Sequence, residues 1–377
     1  MIKTSIRAER QVIDPQIRKN YGIGEVPFSK VKMTLDIEGI NAQYANGLRR
    51  VMLDELVGHC LSAPDGSTCI VKSHATDPYV IDDYINMNIM MIPLRYDIPD
   101  SIIENARFEI KINNQTPNER SILSGDIVET TNYLRSFGPI FNPNMMISIL
   151  NPGYVLEIRD IRIKRGVGSK NARVVSEMFN GAFQVVRRAS SAPLDIPQYS
   201  DKEQRFPGHK MLYGSGYKQS VFTANPRKHR VTCIIPAVLK NANIKPIPIA
   251  ACDNMIVRLQ TIIDALVKEP NINVILNVSV ADTDGVIEGV LVLKYETHTI
   301  GALLNKVIYE TYPDISSGYI YKTHNYTIEL NMSGKKIDPM EIVVTSCEKA
   351  ISDINEIRKS INGLKVTIND VIGGKKS

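Results

Sequence analysis

The chain has 377 residues, 43% hydrophobic and 23% charged, with no tryptophan, five cysteines and a formal net charge of +5. That balance fits two or three globular domains with sizeable cores and excludes a largely disordered chain. No apolar run approaches the ~20 residues of a membrane span, and the charged N-terminus lacks the apolar stretch of a secretory signal. Cys60, Cys69, Cys233, Cys252 and Cys347 are scattered. Neither a disulfide framework nor a zinc site is expected, and a reducing compartment is. The charge is uneven: residues 159–230 hold 15 Lys/Arg against 5 Asp/Glu, so the remainder is net negative by five. Such a segment asks for an anionic partner, nucleic acid or an acidic protein surface, unless it is a solvated face.

Residues 1–25 show no period and read as an N-terminal extension. From Phe28 onward Val31, Met33, Leu35 and Ile37 alternate, which predicts a half-buried strand. Asn41 then caps a predicted helix whose stripe is Tyr44, Leu48, Val51, Met52 and Glu55/Leu56, with Gly58 as its stop. A second helix is predicted over 82–91, ended by Pro93. Residues 96–225 read as a largely β inserted domain, with strands over 107–112, 146–150 and 154–163 between Asn/Pro/Gly turns. Residues 189–210, rich in Ser, Pro and charge, read as an exposed loop.

A strand returns over 231–235. Asp253 is the predicted cap of a helix carrying Met255, Ile256, Leu259, Ile263 and Leu266. Strands over 274–280 and 286–295 flank a turn at Asp282-Thr283-Asp284-Gly285, a hairpin signal in preference to a calcium loop. The next helix sets Ile300, Leu303, Leu304, Val307, Ile308 and Thr311 on one face. Asp338-Pro339-Met340-Glu341 is a capping box. After it Val343, Cys347, Ala350, Ile354, Ile357 and Ile361 repeat every three or four residues, a seam for another helix, before a stop at Gly363. The order strand, helix, more strand, long helix therefore occurs twice, in 26–95 plus 226–270 and in 271–365, with a tail over 366–377. The expected class is α+β, with two similar halves paired through their helices.

Catalytic signatures are absent. The six histidines form no HxxxH or HExxH, and no serine or cysteine stands in a GxSxG context. Gly166-Val167-Gly168-Ser169-Lys170 and Gly214-Ser215-Gly216 match no phosphate-binding loop and read as tight turns.

Two segments carry a family resemblance. Residues 42–53, Ala-Gln-Tyr-Ala-Asn-Gly-Leu-Arg-Arg-Val-Met-Leu, resemble the ANxLRRxM helix of alpha-like RNA polymerase subunits. With Ile92-Pro93-Leu94 and residues 163–172 they are similar to the third-largest subunit of the nuclear enzyme. Residues 294–304, Lys-Tyr-Glu-Thr-His-Thr-Ile-Gly-Ala-Leu-Leu, resemble the E-D-H-T-x-G-N-L-L signature of the eleventh subunit, with Thr297 and Ala302 departing from the usual Asp and Asn. Both motifs in one chain resemble the fused third/eleventh-subunit homologues of nucleocytoplasmic large DNA viruses, of the giant-virus or African swine fever virus type.

The resemblance implies a non-catalytic assembly subunit of a viral DNA-directed RNA polymerase, folded as an intramolecular alpha-like dimer. Its implied partners are the largest and second-largest subunits and small zinc-binding subunits, with DNA reached only through the complex and no membrane. No cofactor is implied in this chain; magnesium belongs to the catalytic partner. The zinc-binding cysteine cluster of the nuclear third subunit has no counterpart in residues 96–225. The implied setting is the virion and the host cytoplasm, with the host nucleus as a further site. Asn46, Arg49, Arg50, Arg165, Gly166, Gly168, Lys170 and Arg173 are the expected large-subunit contacts. Leu48, Met52, Leu259, Ile263, His298, Gly301, Leu304, Ile354, Ile357 and Ile361 are the expected core between the halves. The competing readings are a stand-alone nucleic-acid-binding protein using residues 159–230 and a hydrolase with a dispersed site.

Overall fold

The alternation that begins at Phe28 makes a strand, and the strand beside it comes from the segment expected to be an extension. The computed structural model describes residues 2–12, 28–63, 70–71, 82–168, 185–193, 227–239, 242–280, 285–322 and 326–372. Those residues are mixed α+β, 32% of them helical and 41% strand, as the two interleaved periodicities require. Strand β1 (Lys3–Val12) pairs antiparallel with β2 (Phe28–Glu38). Its buried positions include Ala8 and Arg10, a small residue and a charged one, so no hydrophobic period betrays it.

Asn41 caps α1 (Ala42–Arg50), its Oδ1 accepting the Gln43 N–H at 3.1 Å. The helix continues through a single π turn, Val51–Glu55, closed by the Leu56 N–H on the Val51 carbonyl at 2.9 Å. Gly58 is not the stop: it lies inside β3 (Val57–Ser62). There follow β4 (Ile70–Val71), α2 (Asp82–Met90), the single turn α3 (Asp100–Ile103), β5 (Arg107–Asn113), β6 (Arg120–Leu123), β7 (Ile127–Glu129), β8 (Met146–Leu150) and β9 (Val155–Val167). Strands β3-β9-β5-β7 form one sheet, with β4 also on β9, and β6 pairs β8. Leu61, Ile85, Ile89, Phe108, Ile110, Ile158 and Ile161 close a separate core there. Strand β9 outruns its predicted end. Gly166 sits in the ladder opposite Gly58, not in a tight turn, because glycines hide a strand from pattern reading.

Strand β10 (Arg188–Pro193) overlaps the start of the expected loop, and β11 (Lys228–Leu239) returns beside β2. Helix α4 (Pro246–Val267) begins about two turns before Asp253, since Pro246 occupies a first-turn position where no N–H is needed. Asp253 is instead a surface residue paired with Arg358 at 2.7 Å. The second set is β12 (Val274–Val280), β13 (Val286–Lys294), α5 (His298–Thr311), β14 (Ser316–Lys322), β15 (Thr327–Lys335), α6 (Pro339–Asn362) and β16 (Ile368–Ile372). Residues 281–284, most of the predicted hairpin turn, and residues 214–216 lie outside the described residues; Val280 nevertheless faces Ile287 across the hairpin.

The two sets share a plan. One sheet runs β10-β11-β2-β1-β16 and the other β14-β15-β13-β12, so four strands correspond in order. A capped helix follows β2 and β13, and a long proline-initiated helix follows β11 and β15. Asp338 caps α6, accepting the Met340 N–H at 2.9 Å. Helix α6 packs along α4, and all six of its seam residues are fully buried, worth roughly 1.5–3 kcal/mol each for the larger ones before entropy is counted. The expected C-terminal tail adds a fifth strand, β16, parallel to β1 from Ala8↔Ile368 to Val12↔Ile372.

Candidate functional site

The helices meet in one apolar junction. Leu48 and Met52 of α1 and its π turn, Leu259 and Ile263 of α4, Leu304 of α5, and Ile354, Ile357 and Ile361 of α6 belong to a single buried cluster. Gly301 is buried too, but it seats α5 on its own sheet. A Cβ there would lie 2.7 Å from Ile328 Cδ1 and 2.9 Å from Tyr319 Cδ2. Gly301→Ala is therefore expected to cost about 1–3 kcal/mol in urea unfolding despite alanine's better helix propensity. His298 is a correction. As the first residue of α5 it is exposed, its ring against Tyr319 and Tyr321 at centroid distances of 5.9 and 4.5 Å, outside the core.

A polar network crosses the junction. Glu55, at the end of the π turn, is 5% exposed. Its Oε1 accepts the Thr297 hydroxyl at 2.9 Å and the Thr299 hydroxyl at 2.8 Å. Its Oε2 accepts the Arg258 Nη1 of α4. The same guanidinium donates to Glu296, with Nε 3.1 Å from Oε2 and Nη2 on the same oxygen. Arg50 Nε donates to Thr299 Oγ1 at 3.1 Å. Burial pushes the Glu55 carboxyl up, but the Arg258 charge and the Thr299, Arg258 and Thr297 hydrogen bonds outweigh it and hold the group below the usual carboxylate range. Residues 296–299 of the second motif thus meet the helix of the first.

Two further bonds tie α1 to the later helices. The Tyr44 hydroxyl donates to Asp353 of α6 at 2.6 Å, and Asn41 Nδ2 donates to Glu310 of α5 at 3.0 Å. Burial, then the Asp353 bond, raises the Tyr44 phenol far above its ordinary range, so it remains a donor. Pattern reading missed Glu55, Arg258 and Glu296 as a set. The available signal was a charged residue on each of two apolar stripes: Glu55 beside Met52, and Arg258 beside Met255 and Leu259.

Around this junction lies a basic rim. Asn46, Arg49 and Arg50 are half-buried on α1, and Arg49 Nε donates to Asn46 Oδ1 at 2.9 Å. Burial and the neighbouring Arg50 charge push the Arg49 guanidinium down from its ordinary value. Strand β3, which leaves the π turn, pairs His59 with Arg165 and Gly58 with Gly166, so two motifs distant in sequence become neighbours. Arg165 is exposed, Gly166 half-buried and Gly168 buried; Lys170 and Arg173 lie outside the described residues. Much of the described charge of residues 159–230 is compensated. Arg159 pairs with Glu157, Arg162 with Asp160, Lys228 with Glu38 and Arg230 with Asp36. That weakens the reading as a stand-alone nucleic-acid binder. Burial raises the thiols of Cys60, Cys233, Cys252 and Cys347 to about 12, which keeps them unreactive. Among the described residues no helix is long and apolar enough to cross a membrane.

No family model matches the chain. Curated relatives do. A "DNA-directed RNA polymerase RPB3-11 homolog" of African swine fever virus (isolate Tick/South Africa/Pretoriuskop Pr4/1996) is 32% identical over 336 residues, covering 88% of this chain and 86% of the relative. The protein of the same description from isolate Tick/Malawi/Lil 20-1/1983 is 31% identical over 343 residues, covering 89% and 88%. An alignment of that length spans both motif-bearing halves and the domain inserted between them, so the chain belongs to the family of RPB3-11 homologues of DNA-directed RNA polymerase.

Proposed function

We propose that the chain is a non-catalytic assembly subunit of a DNA-directed RNA polymerase, whose two halves pair within one polypeptide to hold the two large catalytic subunits. The observation that carries this reading is the joint burial of the α1, α4, α5 and α6 faces, one pair of helices from each half, around the Glu55–Arg258–Glu296 network. A fused chain pairs its halves at ~mM effective concentration, so the platform needs no prior encounter. The basic rim of Arg49, Arg50 and Arg165, with Asn46, Gly166 and Gly168 beside it, is the proposed large-subunit contact; Lys170 and Arg173, outside the described residues, are assigned to it from the sequence motif alone. Arginine suits it because its planar fork binds carboxylates in pairs. Small zinc-binding subunits would dock alongside. DNA and the catalytic magnesium would be held by the complex, in the virion and the infected-cell cytoplasm.

Copurification tests this. The tagged full chain is expected to capture the largest and second-largest subunits, identified by mass spectrometry. Arg49→Glu is expected to reduce capture of the second-largest subunit at least tenfold while leaving the melting temperature of the isolated chain unchanged. Equal capture would remove Arg49 from the interface, and capture of neither large subunit would end the assembly reading.

A further inference from the structure

We propose that the outer edge of β12 receives an added strand from another polymerase subunit, laid along it as β16 lies along β1. The proposal rests on the assembly reading, which supplies the partner, and on a register match within this chain. Thr4 of β1 faces Ile37, four residues before the helix cap Asn41; Val274 of β12 faces Leu293, four residues before the helix cap Thr297. Ala8 and Arg10 therefore correspond to Val278 and Val280. Ala8 is 0% exposed and Arg10 8%. They pair with Ile368 and Asp370 of β16, and the Arg10 guanidinium holds the Asp370 carboxylate. Val278 is 55% exposed and Val280 66%, although valine is the more apolar choice at both positions.

Among the described residues no strand pairs that edge of β12. The sequence Val-Ile-Leu-Asn-Val-Ser-Val carries no lysine, proline or other charge to blunt it. Natural edges are normally guarded by such residues, and an unguarded one is a template for backbone pairing. The alternating outward N–H and C=O groups of a strand edge select an extended segment over a helix. The uncharged, valine-rich edge selects an occupant that is itself uncharged and alternately apolar. The chain's last described strand is already committed to β1, and the assembly reading supplies other subunits as neighbours, so the proposed occupant is a segment of one of them.

Amide hydrogen exchange of the full chain, alone and in the reconstituted polymerase, reads this directly. Exchange over residues 276–280 is expected to slow at least tenfold on assembly. A photoactivatable label on Ser279→Cys is expected to crosslink to a different subunit, and the double variant Val278→Lys/Val280→Lys to melt as wild type yet capture that subunit at least tenfold less well. A polymerase that contains both large subunits but shows unchanged exchange at β12 overturns the proposal and leaves the assembly reading intact. A crosslink only to a second copy of this chain overturns it as well. A wild-type chain that captures no polymerase subunit overturns both.

Discussion

Leu48→Asp abolishes the cooperative thermal transition of the chain, and Leu304→Asp does the same. Both leucines are fully buried, one on α1 and one on α5, in the same apolar cluster. Each substitution forfeits roughly 1.5–3 kcal/mol of burial and strands a carboxylate in a site lined by aliphatic side chains, a further cost of several kcal/mol. The total reaches the ~5–15 kcal/mol that ordinarily separates folded from unfolded states. Leu48→Ala, which adds no charge, is expected to cost only about 2–5 kcal/mol. Tyr84→Asp, on the exposed side of α2, should melt as wild type. Circular dichroism melts decide it. The equality of the two aspartate variants is the diagnostic result, because it requires the halves to unfold as one unit. A Leu304→Asp chain in which the β1–β2–β11 sheet still melts at the wild-type temperature would show instead that the halves are independent.

How much of this was legible depended on the kind of interaction. The seam of α6 was readable because six apolar residues at helical spacing have a single interpretation, and all six are buried. The caps Asn41, Thr297 and Asp338 follow local rules, two of them foreseen or implied by the motifs. What failed to register were features defined by distant pairing. Strand β1 hides Arg10 on its buried side, tolerable only because Asp370, at the other end of the chain, reaches it. His298 lies within a motif that packs in the junction, but Thr297 and Thr299 turn toward Glu55 while the first residue of α5 turns outward onto Tyr319 and Tyr321. The predicted start of α4 at Asp253 lies about two turns late, because Asp253 is a capping type of residue inside a helix that Pro246 opens. The network itself was invisible: a glutamate and an arginine on separate apolar stripes read as interruptions until the fold brings them together.

That network makes the second large effect. Arg258→Met leaves Glu55 and Glu296 facing a gap without their shared cation, and is expected to cost about 3–5 kcal/mol in urea unfolding at pH 7. Glu55→Leu alone removes the partner on the other side. In the double variant the two losses should not add. A coupling of about 0.5–3 kcal/mol is expected, since neither side chain then leaves the other stranded. The pH dependence carries the sharper test. In wild type the folded-state pKa of Glu55 lies below its unfolded value of roughly 4.3. Its contribution is therefore fully present above that pH and is lost as pH falls through the folded value. In Arg258→Met the Arg258 charge and hydrogen bond are lost while the Thr297 and Thr299 bonds remain, so the folded-state pKa of Glu55 rises relative to wild type. The stability gap between Arg258→Met and wild type is therefore expected to narrow as pH falls from 7 to 4.5. A gap that stays constant over that range would mean that Arg258 contributes through packing of its aliphatic stem and not through its charge on Glu55.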